Sequence, residues 1–262
     1  MHDKSCALEI FAYLYKKISK DMKAIHKNLT VSGIYYDTLV SKVSSCDSII
    51  EWVIKIGGSL FPRKAIELAN ALEGENCLFV IGGGEFANLI RKYDKEIEFS
   101  KDVTHETAID SMDILAKLLN DKLAFTEISY SIEDAMEVSD SGKIPILICS
   151  EILKENDPLM HSWNVTSDSI SAYVAGLLNA RLLIATDVDG IYDKNPDLPG
   201  AELINEIDVN ELLSFKESSI DLMLPSLLIK FGLDCFVVNG EHVERVLSLM
   251  DEDAQKDFPY TF

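Results

Sequence analysis

Residues 52–84, WVIKIGGSLFPRKAIELANALEGENCLFVIGGG, hold two short apolar runs separated by one segment of helical character. The runs WVIKI and CLFVI are rich in Val, Ile and Leu, which is typical of strands that are buried on both faces of a sheet. The segment between them has Pro62 near its start and Gly74 at its end, and these are usual boundary residues of a helix. A strand, a helix and a second strand in this order predict an α/β fold.

The same alternation continues along the chain. Further strands are predicted over 143–149, 181–188 and 234–238, and further helices over 85–94, 104–121, 167–180, 208–215, 224–232 and 241–250. We therefore expect a three-layer αβα sandwich around a mainly parallel central sheet. Residues 6–28 have apolar positions at helical spacing with lysines between them. This pattern predicts an N-terminal helical extension over 1–50 and a main domain over 51–262.

The composition excludes several classes of protein. The 262 residues include 24 Lys and Arg against 44 Asp and Glu, and the net charge of −20 argues against a nucleic-acid or anionic-membrane surface. The five cysteines are scattered without a C-x-x-C pair, so neither a disulfide framework nor a zinc site is predicted. No apolar run approaches the ~18 residues of a membrane span, and the first residues do not read as a signal peptide. We expect a cytoplasmic protein with reduced thiols and with neither nucleic acid nor membrane as a partner.

Glycine-rich turns follow the first two predicted strands. They are IKIGGSL, with Gly57 and Gly58, and VIGGGEF, with Gly83 and Gly84. Loops at the carboxyl ends of parallel strands line the sheet edge where ligands bind. Glycine lets the backbone approach an anion closely, and the helix that follows adds unpaired N–H groups and a positive dipole end. Together the turns predict a polyphosphate site, although either turn alone fits a tight strand-to-helix connection equally well.

A lysine and an aspartate are candidate catalytic residues beside these turns. Lys55 comes two residues before Gly57, where its charge suits a transferring phosphoryl group; the alternative is a strand lysine whose amine reaches solvent. Asp168 stands at the start of a predicted helix, where it caps the helix, holds Lys55, or does both. The run GGGEFA also fits the loose dinucleotide pattern G-x-G-x-x-[GA], so a nicotinamide-dependent dehydrogenase is the first alternative function.

Four segments, IKIGGSL, VIGGGEFANLIR, TSDSISAYVAGLLNA and ATDVDGIYDKNP, resemble motifs of the amino-acid-kinase family in order and spacing. The resemblance runs from residue 51 to about 250 and implies an acceptor-binding part over about 51–165 and a nucleotide-binding part over about 166–250. It implies ATP as phosphoryl donor, Mg²⁺ held through the ATP phosphates rather than by protein ligands, and Lys55 with Asp168 as the catalytic pair. The ATP- and phosphate-binding residues that it implies are Gly57, Gly58, Gly83, Gly84, Thr186, Asp187, Gly190, Tyr192 and Asn195.

Residues 218–228 indicate which class of acceptor the resemblance favours. Family members that phosphorylate carboxylates have a second lysine in a G-M-x-x-K context, whereas SSIDLMLPSLL has no lysine in register and contains Asp221. This departure favours the branch whose acceptor is already a phosphate. The stretches THETAIDSMDILAKLL and HSWNVTSDSISAYVA resemble an archaeal group that converts [5-(aminomethyl)furan-3-yl]methyl phosphate to its diphosphate in methanofuran biosynthesis.

Other acceptors and one other function stay open. Uridylate, isopentenyl phosphate and an amino-acid carboxylate are the alternative acceptors. A molybdate or tungstate storage protein of the same fold would use ATP without phosphorylating a metabolite. The five histidines are scattered and none lies at metal-ligand spacing, so storage is the less favoured function.

The two stretches that resemble the furan-phosphate group also supply the candidate acceptor-binding residues. Aromatic and thioether side chains pack on a flat ring, a carboxylate pairs with an ammonium, and hydroxyls bond to a phosphate. The alternative is that Met112 belongs to an apolar helical stripe and the acids to its wetter side. As partners we expect a small-molecule phosphate acceptor and a second copy of the chain in a homo-oligomer. The candidates are His105, Asp110, Met112, Asp113, Ser162, Trp163, Asn164 and Thr166.

A thermal-shift titration separates the kinase from the dehydrogenase. ATP with Mg²⁺ is expected to raise the Tm, because a ligand that binds only the folded state stabilises it by mass action. NAD(H) and NADP(H) are expected to leave the Tm unchanged. Saturable stabilisation by a nicotinamide cofactor, with none by ATP, would select the dehydrogenase instead.

Overall fold

A computed structural model describes residues 50–262, except 155–156, 195, 197, 216–218, 252 and 255. These residues belong to one compact unit, Val43–Phe262. The helix predicted over 6–28, and all but the last residue of the extension predicted over 1–50, lie outside the described residues.

A six-stranded parallel sheet is the centre of the described structure. The strands are β1 (Trp52–Ile56), β2 (Cys77–Ile81), β3 (Thr126–Ser129), β4 (Ile144–Leu147), β5 (Arg181–Thr186), β6 (Ile191–Tyr192), β7 (Leu203–Ile204) and β8 (Cys235–Asn239). The sheet has the spatial order β3-β4-β2-β1-β5-β8, while β6 and β7 form a separate antiparallel ribbon. All the pairings within the large sheet are parallel, so β1 lies at its centre between β2 and β5.

Helices cover both faces of this sheet. They are α1 (Arg63–Ala71), α2 (Gly84–Glu96), α3 (Lys101–Asn120), α4 (Ile132–Asp140), α5 (Cys149–Lys154), α6 (Ser167–Leu178), α7 (Val209–Leu212), α8 (Leu224–Phe231) and α9 (Val243–Met250). The predicted αβα arrangement is confirmed. Within the described residues, none of these helices has the length and apolar character needed to span a membrane.

The alternation of side chains along β1 divides the core between the two faces. Ile54 and Ile56 join a buried cluster that also takes in α1, α3 and α9. Neighbouring strand residues point to opposite faces, so Lys55 points to the other side, where α6 packs across β1 and β5. Fully burying a side chain such as Ile54 contributes about 1.5–3 kcal/mol. A charged residue at this central position therefore needs a partner on α6.

Five elements of the described structure were not predicted: β3, β6, β7, α4 and α5. The edge strand β3 reads TEIS and is only partly buried, so it lacks the apolar run of the inner strands. The strand predicted over 143–149 ends at Leu147, and Cys149 begins α5. The strand ends early because of a tertiary contact: the Cys149 N–H donates to the carboxylate of Asp113 on α3, 2.8 Å away. A carboxylate that accepts an N–H at the start of a helix stabilises that start.

The two glycine turns touch each other at the carboxyl edge of the sheet. A Cβ built on Gly58 would lie 2.2 Å from the backbone nitrogen of Gly84, which itself has φ +54°. The Gly82 N–H donates to the Ile56 carbonyl oxygen (2.9 Å), and the Gly57 N–H donates to that of Ala185 (2.8 Å). The turns therefore form one continuous backbone surface between β2, β1 and β5.

Gly58→Ala is expected to destabilise the protein by about 1–3 kcal/mol, because the added methyl group meets backbone rather than a side chain that can move aside. Chemical denaturation measures the change. Glu85→Ala, at an exposed position in the first turn of α2, is the control and should stay within about 0.5 kcal/mol of the parent. Equal midpoints for the Gly58 variant and the parent would show that the turns do not meet.

Candidate active site

Lys55 and Asp168 form a buried ion pair in the middle of the sheet edge. Lys55 Nζ lies 2.9 Å from Asp168 Oδ1, and only 9% and 7% of the two side chains are exposed. Asp168 is the second residue of α6, and its N–H faces the hydroxyl of the N-cap residue Thr166. Lys55 Nζ and Asp168 Oδ1 are close enough for an ion pair but are not aligned for a hydrogen bond. Asp168 Oδ1 is therefore a buried oxygen to which no described residue donates a hydrogen bond. The structure thus brings the two predicted catalytic residues together.

Asp221 supports this pair through a hydrogen bond to Asp168. Its N–H donates to Asp168 Oδ2 (3.1 Å), while its own Oδ2 accepts from the backbone N–H groups of Thr166 (2.8 Å) and Ser169 (2.9 Å) at the start of α6. Its Oδ1 accepts from the N–H of Leu224 (2.9 Å) at the start of α8. Asp221 therefore caps two helices with its carboxylate and holds Asp168 with its backbone N–H.

The environment of Asp221 opposes its ionisation. Burial, and then the neighbouring carboxylate of Asp168, raise its pKa, while hydrogen bonds from Ser169 and Thr166 act in the other direction. This bracing role was not predicted from the sequence. The signal for it was an aspartate shortly before Pro225, since Asp and Pro are typical of helix starts.

A cavity of about 240 Å³ opens beside the ion pair. Both glycine turns, α2, α3 and the loop before α6 form its walls. Among the described residues that line it there is no carboxylate, whereas Lys55, Arg91 and His105 bring basic side chains. The predicted residues that line it are Lys55, Gly58, Gly83, Gly84, His105, Met112, Trp163 and Thr166.

The other four acceptor candidates do not line this cavity. Asp110 is exposed on α3. Asp113 is buried beside α5, where its carboxylate accepts from the Cys149 N–H, and burial raises its pKa. Ser162 and Asn164 lie in the loop before α6, where the Ser162 hydroxyl accepts from the Asn164 N–H (3.3 Å).

Two histidines and an aspartate meet beside the cavity, and one of them, His105, lines it. His105 Nε2 lies 2.7 Å from Asp157 Oδ2, and His161 Nε2 lies 3.4 Å from the same oxygen. The two imidazole rings stack with centroids 4.3 Å apart. His161 Nδ1 lies 2.6 Å from Asp102 Oδ1, and this hydrogen bond is the main cause that raises the pKa of His161. Sequence spacing did not reveal the cluster, because 52 positions separate His105 from Asp157.

The predicted nucleotide segment leaves the sheet next to the pair of Lys55 and Asp168. Thr186 ends β5, and its hydroxyl donates to Asp187 (3.1 Å). Gly190 packs so closely on Thr261 that a Cβ would lie 2.5 Å from the threonine hydroxyl oxygen. Burial and the nearby Asp189 raise the pKa of Tyr192.

Residues near the end of the chain fasten this segment. The Ile191 N–H donates to the Thr261 hydroxyl (2.7 Å), and that hydroxyl donates to the Ile204 carbonyl oxygen. Arg245 on α9 holds Asp189 at 2.7 Å. The predicted nucleotide residues Thr186, Asp187, Gly190 and Tyr192 thus start at the sheet edge that carries Lys55, while Asn195 lies outside the described residues.

A family model, described as the amino acid kinase family, matches residues 51–234. The chain belongs to this family and is a phosphotransferase. It is 40% identical over 210 residues to a [5-(aminomethyl)furan-3-yl]methyl phosphate kinase of Methanocaldococcus jannaschii, covering 76% of this chain and 92% of that protein. It is 27% identical over 222 residues to a uridylate kinase of Methanobrevibacter smithii, covering 76% and 94% of the two chains. The dehydrogenase alternative for GGGEFA is thereby set aside.

Solved structures show the same fold. Uridylate kinase from Archaeoglobus fulgidus superimposes with a TM-score of 0.63 at 20% identity, over 78% of this chain and 97% of that one. An isopentenyl phosphate kinase product complex from T. acidophilum gives a TM-score of 0.53 at 22% identity, over the same shares of the two chains. These likenesses concern the fold alone.

Lys55→Met is expected to lower turnover at least ~100-fold, because it removes a preorganised charge from the site, while the affinity for nucleotide changes less. Removing one partner of a buried pair also costs roughly 3–5 kcal/mol of stability. The double variant Lys55→Met with Asp168→Asn removes both charges and should recover part of the lost Tm without recovering activity.

Steady-state kinetics and thermal unfolding measure both effects. The exposed pair of Lys64 and Glu67, 2.8 Å apart, offers the control Lys64→Met, which should change neither quantity much. Turnover close to that of the parent in the Lys55 variant would remove this lysine from the chemistry.

Proposed function

We propose that this chain is an ATP-dependent kinase that phosphorylates a phosphate monoester, [5-(aminomethyl)furan-3-yl]methyl phosphate, to its diphosphate. The single observation that carries the proposal is the cavity beside Lys55, which holds basic side chains and glycine backbone but, among the described residues, no carboxylate. Walls of this kind favour the binding of two phosphate groups, the γ-phosphate of ATP and the phosphate of the acceptor. The 40% identity to the M. jannaschii kinase supports the choice of the furan compound.

The described residues fit ATP with Mg²⁺ as the donor. The glycine turns form a surface that a single Cβ would obstruct, which suits close approach of phosphate oxygens to backbone N–H groups. No described residue donates a hydrogen bond to the buried Asp168 Oδ1, which is therefore still able to accept one. When bound through the ATP phosphates, Mg²⁺ would neutralise charge that develops on the transferred group.

The reaction needs positioning more than proton transfer. An acceptor phosphate is already anionic, so one of its oxygens attacks the γ-phosphorus of ATP, the bond to the β,γ-bridging oxygen breaks, and ADP leaves with the electron pair. Lys55 neutralises the transferring group, Asp168 orients Lys55, and Asp221 holds Asp168 in place. His105, Met112, Trp163 and Thr166 contact the acceptor from the cavity wall. Thr186, Asp187 and Tyr192 bind the nucleotide.

We also propose that the protein forms a homo-oligomer. Within the described chain α2 has no buried residue, yet it exposes Phe86, Leu89 and Tyr93, which recur at helical spacing along one face. Such an apolar face is stabilised when a second copy covers it.

An acceptor panel assayed for ADP release tests the proposed reaction. The highest kcat/KM is expected for the furan phosphate, compared with UMP, isopentenyl phosphate and amino acids, because Trp163 and Met112 can pack on a flat ring and the basic side chains of the cavity suit its phosphate. The dephosphorylated furan alcohol is the matched control and should not turn over, since it lacks the anionic nucleophile. ³¹P NMR should show a diphosphate product. A larger kcat/KM for UMP or for a carboxylate acceptor would refute the proposed substrate.

A further inference from the structure

The basic side chains that line the cavity differ in how they are paired. Lys55 has Asp168 at 2.9 Å, and His105 has Asp157 at 2.7 Å. Arg91 forms no ion pair with any carboxylate in the described part of the chain. Its one hydrogen bond there is from Nη1 to the side-chain oxygen of Asn88, at 3.1 Å. An arginine that lines a cavity and lacks a protein anion is suited to bind an anionic ligand.

Burial makes this lone charge unfavourable in the free protein. Arg91 is partly buried on α2, and desolvation lowers its pKa. Because the described residues of the cavity wall offer it no carboxylate, a bound anion would relieve that penalty and would accept hydrogen bonds from the remaining N–H donors of the guanidinium.

Trp163 and Asp94 hold the guanidinium in one orientation. The centre of the guanidinium lies 4.7 Å from the centroid of the Trp163 ring, which is the range of a cation–π contact. The indole N–H donates to Asp94 Oδ2 at 2.8 Å, and this hydrogen bond is the main cause that lowers the pKa of Asp94. The other oxygen of Asp94 accepts the N–H of Phe99 (3.0 Å). Asp94 therefore fixes the ring, and the ring supports Arg91.

We propose that Arg91, supported by Trp163 and Asp94, binds the phosphate of the acceptor molecule. This inference rests on the proposed function and specifies which residue recognises the acceptor's phosphate. Lys55 then serves the transferred γ-phosphoryl group, and Arg91 serves the phosphate that attacks it. Arg91 lies on α2 after the second glycine turn, so the helix that follows this turn also carries the residue that binds the acceptor.

Steady-state kinetics of Arg91→Met and Arg91→Lys test the assignment. Losing charge-assisted hydrogen bonds of this kind should raise the acceptor KM of Arg91→Met about 10–100-fold. The KM for ATP should change less than about threefold. Arg91→Lys should fall in between, because lysine keeps the charge but not the planar fork. Lys92→Met, at the neighbouring exposed position, is the control and should match the parent.

Trp163→Phe and Asp94→Asn test the support. The first keeps an aromatic face for Arg91 but loses the indole N–H, and the second weakens the acceptor of that N–H. Each should raise the acceptor KM by a smaller factor than Arg91→Met and leave the KM for ATP unchanged. A rise confined to the KM for ATP would instead place Arg91 and Trp163 in the nucleotide site and would overturn the proposal.

A binding measurement without ATP keeps the inference separate from the proposed reaction. Inorganic phosphate is titrated into the parent, Arg91→Met and Lys92→Met, and binding is followed by calorimetry. Binding to the parent and to Lys92→Met, with loss in Arg91→Met, supports the assignment even if the furan phosphate proves not to be a substrate. Equal phosphate binding by all three proteins, together with an unchanged acceptor KM, would refute it even if the furan phosphate is turned over.

Discussion

The ion pair between Lys55 and Asp168 is the contact around which the other parts of the site are arranged. Two charges at the centre of a parallel sheet are stable only when each finds its partner at short range and nearby dipoles support the anion. Asp221 provides that support by donating its N–H to Asp168 while it caps the helices that begin on either side. The start of α6, the start of α8 and the centre of β1 are thereby joined through three side chains.

The cavity presents basic side chains within an acidic protein. The net charge is −20, yet the walls beside the ion pair carry no carboxylate among the described residues. Asp94 and Asp157 stay behind Trp163 and His105, where each fixes a side chain of the wall. The excess of acid over base thus concerns the rest of the chain, and the local field is set by a few oriented groups.

The sequence was informative where the signal is local and uninformative where it depends on distant contacts. Lys55 beside Gly57, and Asp168 at a helix start, were predicted because a strand end, a glycine turn and a capping position are all read from adjacent residues. Arg91 and Asp157 were missed, because nothing adjacent to either residue shows that tertiary packing brings it to the cavity or to His105. Asp113 was assigned to the acceptor from its position on α3, whereas its carboxylate accepts a backbone N–H of α5, and no periodicity reveals such a contact.

The contacts of Thr261 indicate which part of the structure is stabilised last during synthesis. Its hydroxyl joins Ile191, 70 positions earlier, to Ile204, and its backbone pairs with Val237 at the edge of the sheet. Thr261 follows all of these partners along the chain, so a chain under synthesis makes the contacts only after the residues of the sheet have emerged. The ribbon of β6 and β7 therefore gains its last support only when the sheet beside it already exists. During synthesis, Lys55 and Asp168 therefore emerge before the residue that secures the segment predicted to hold the nucleotide.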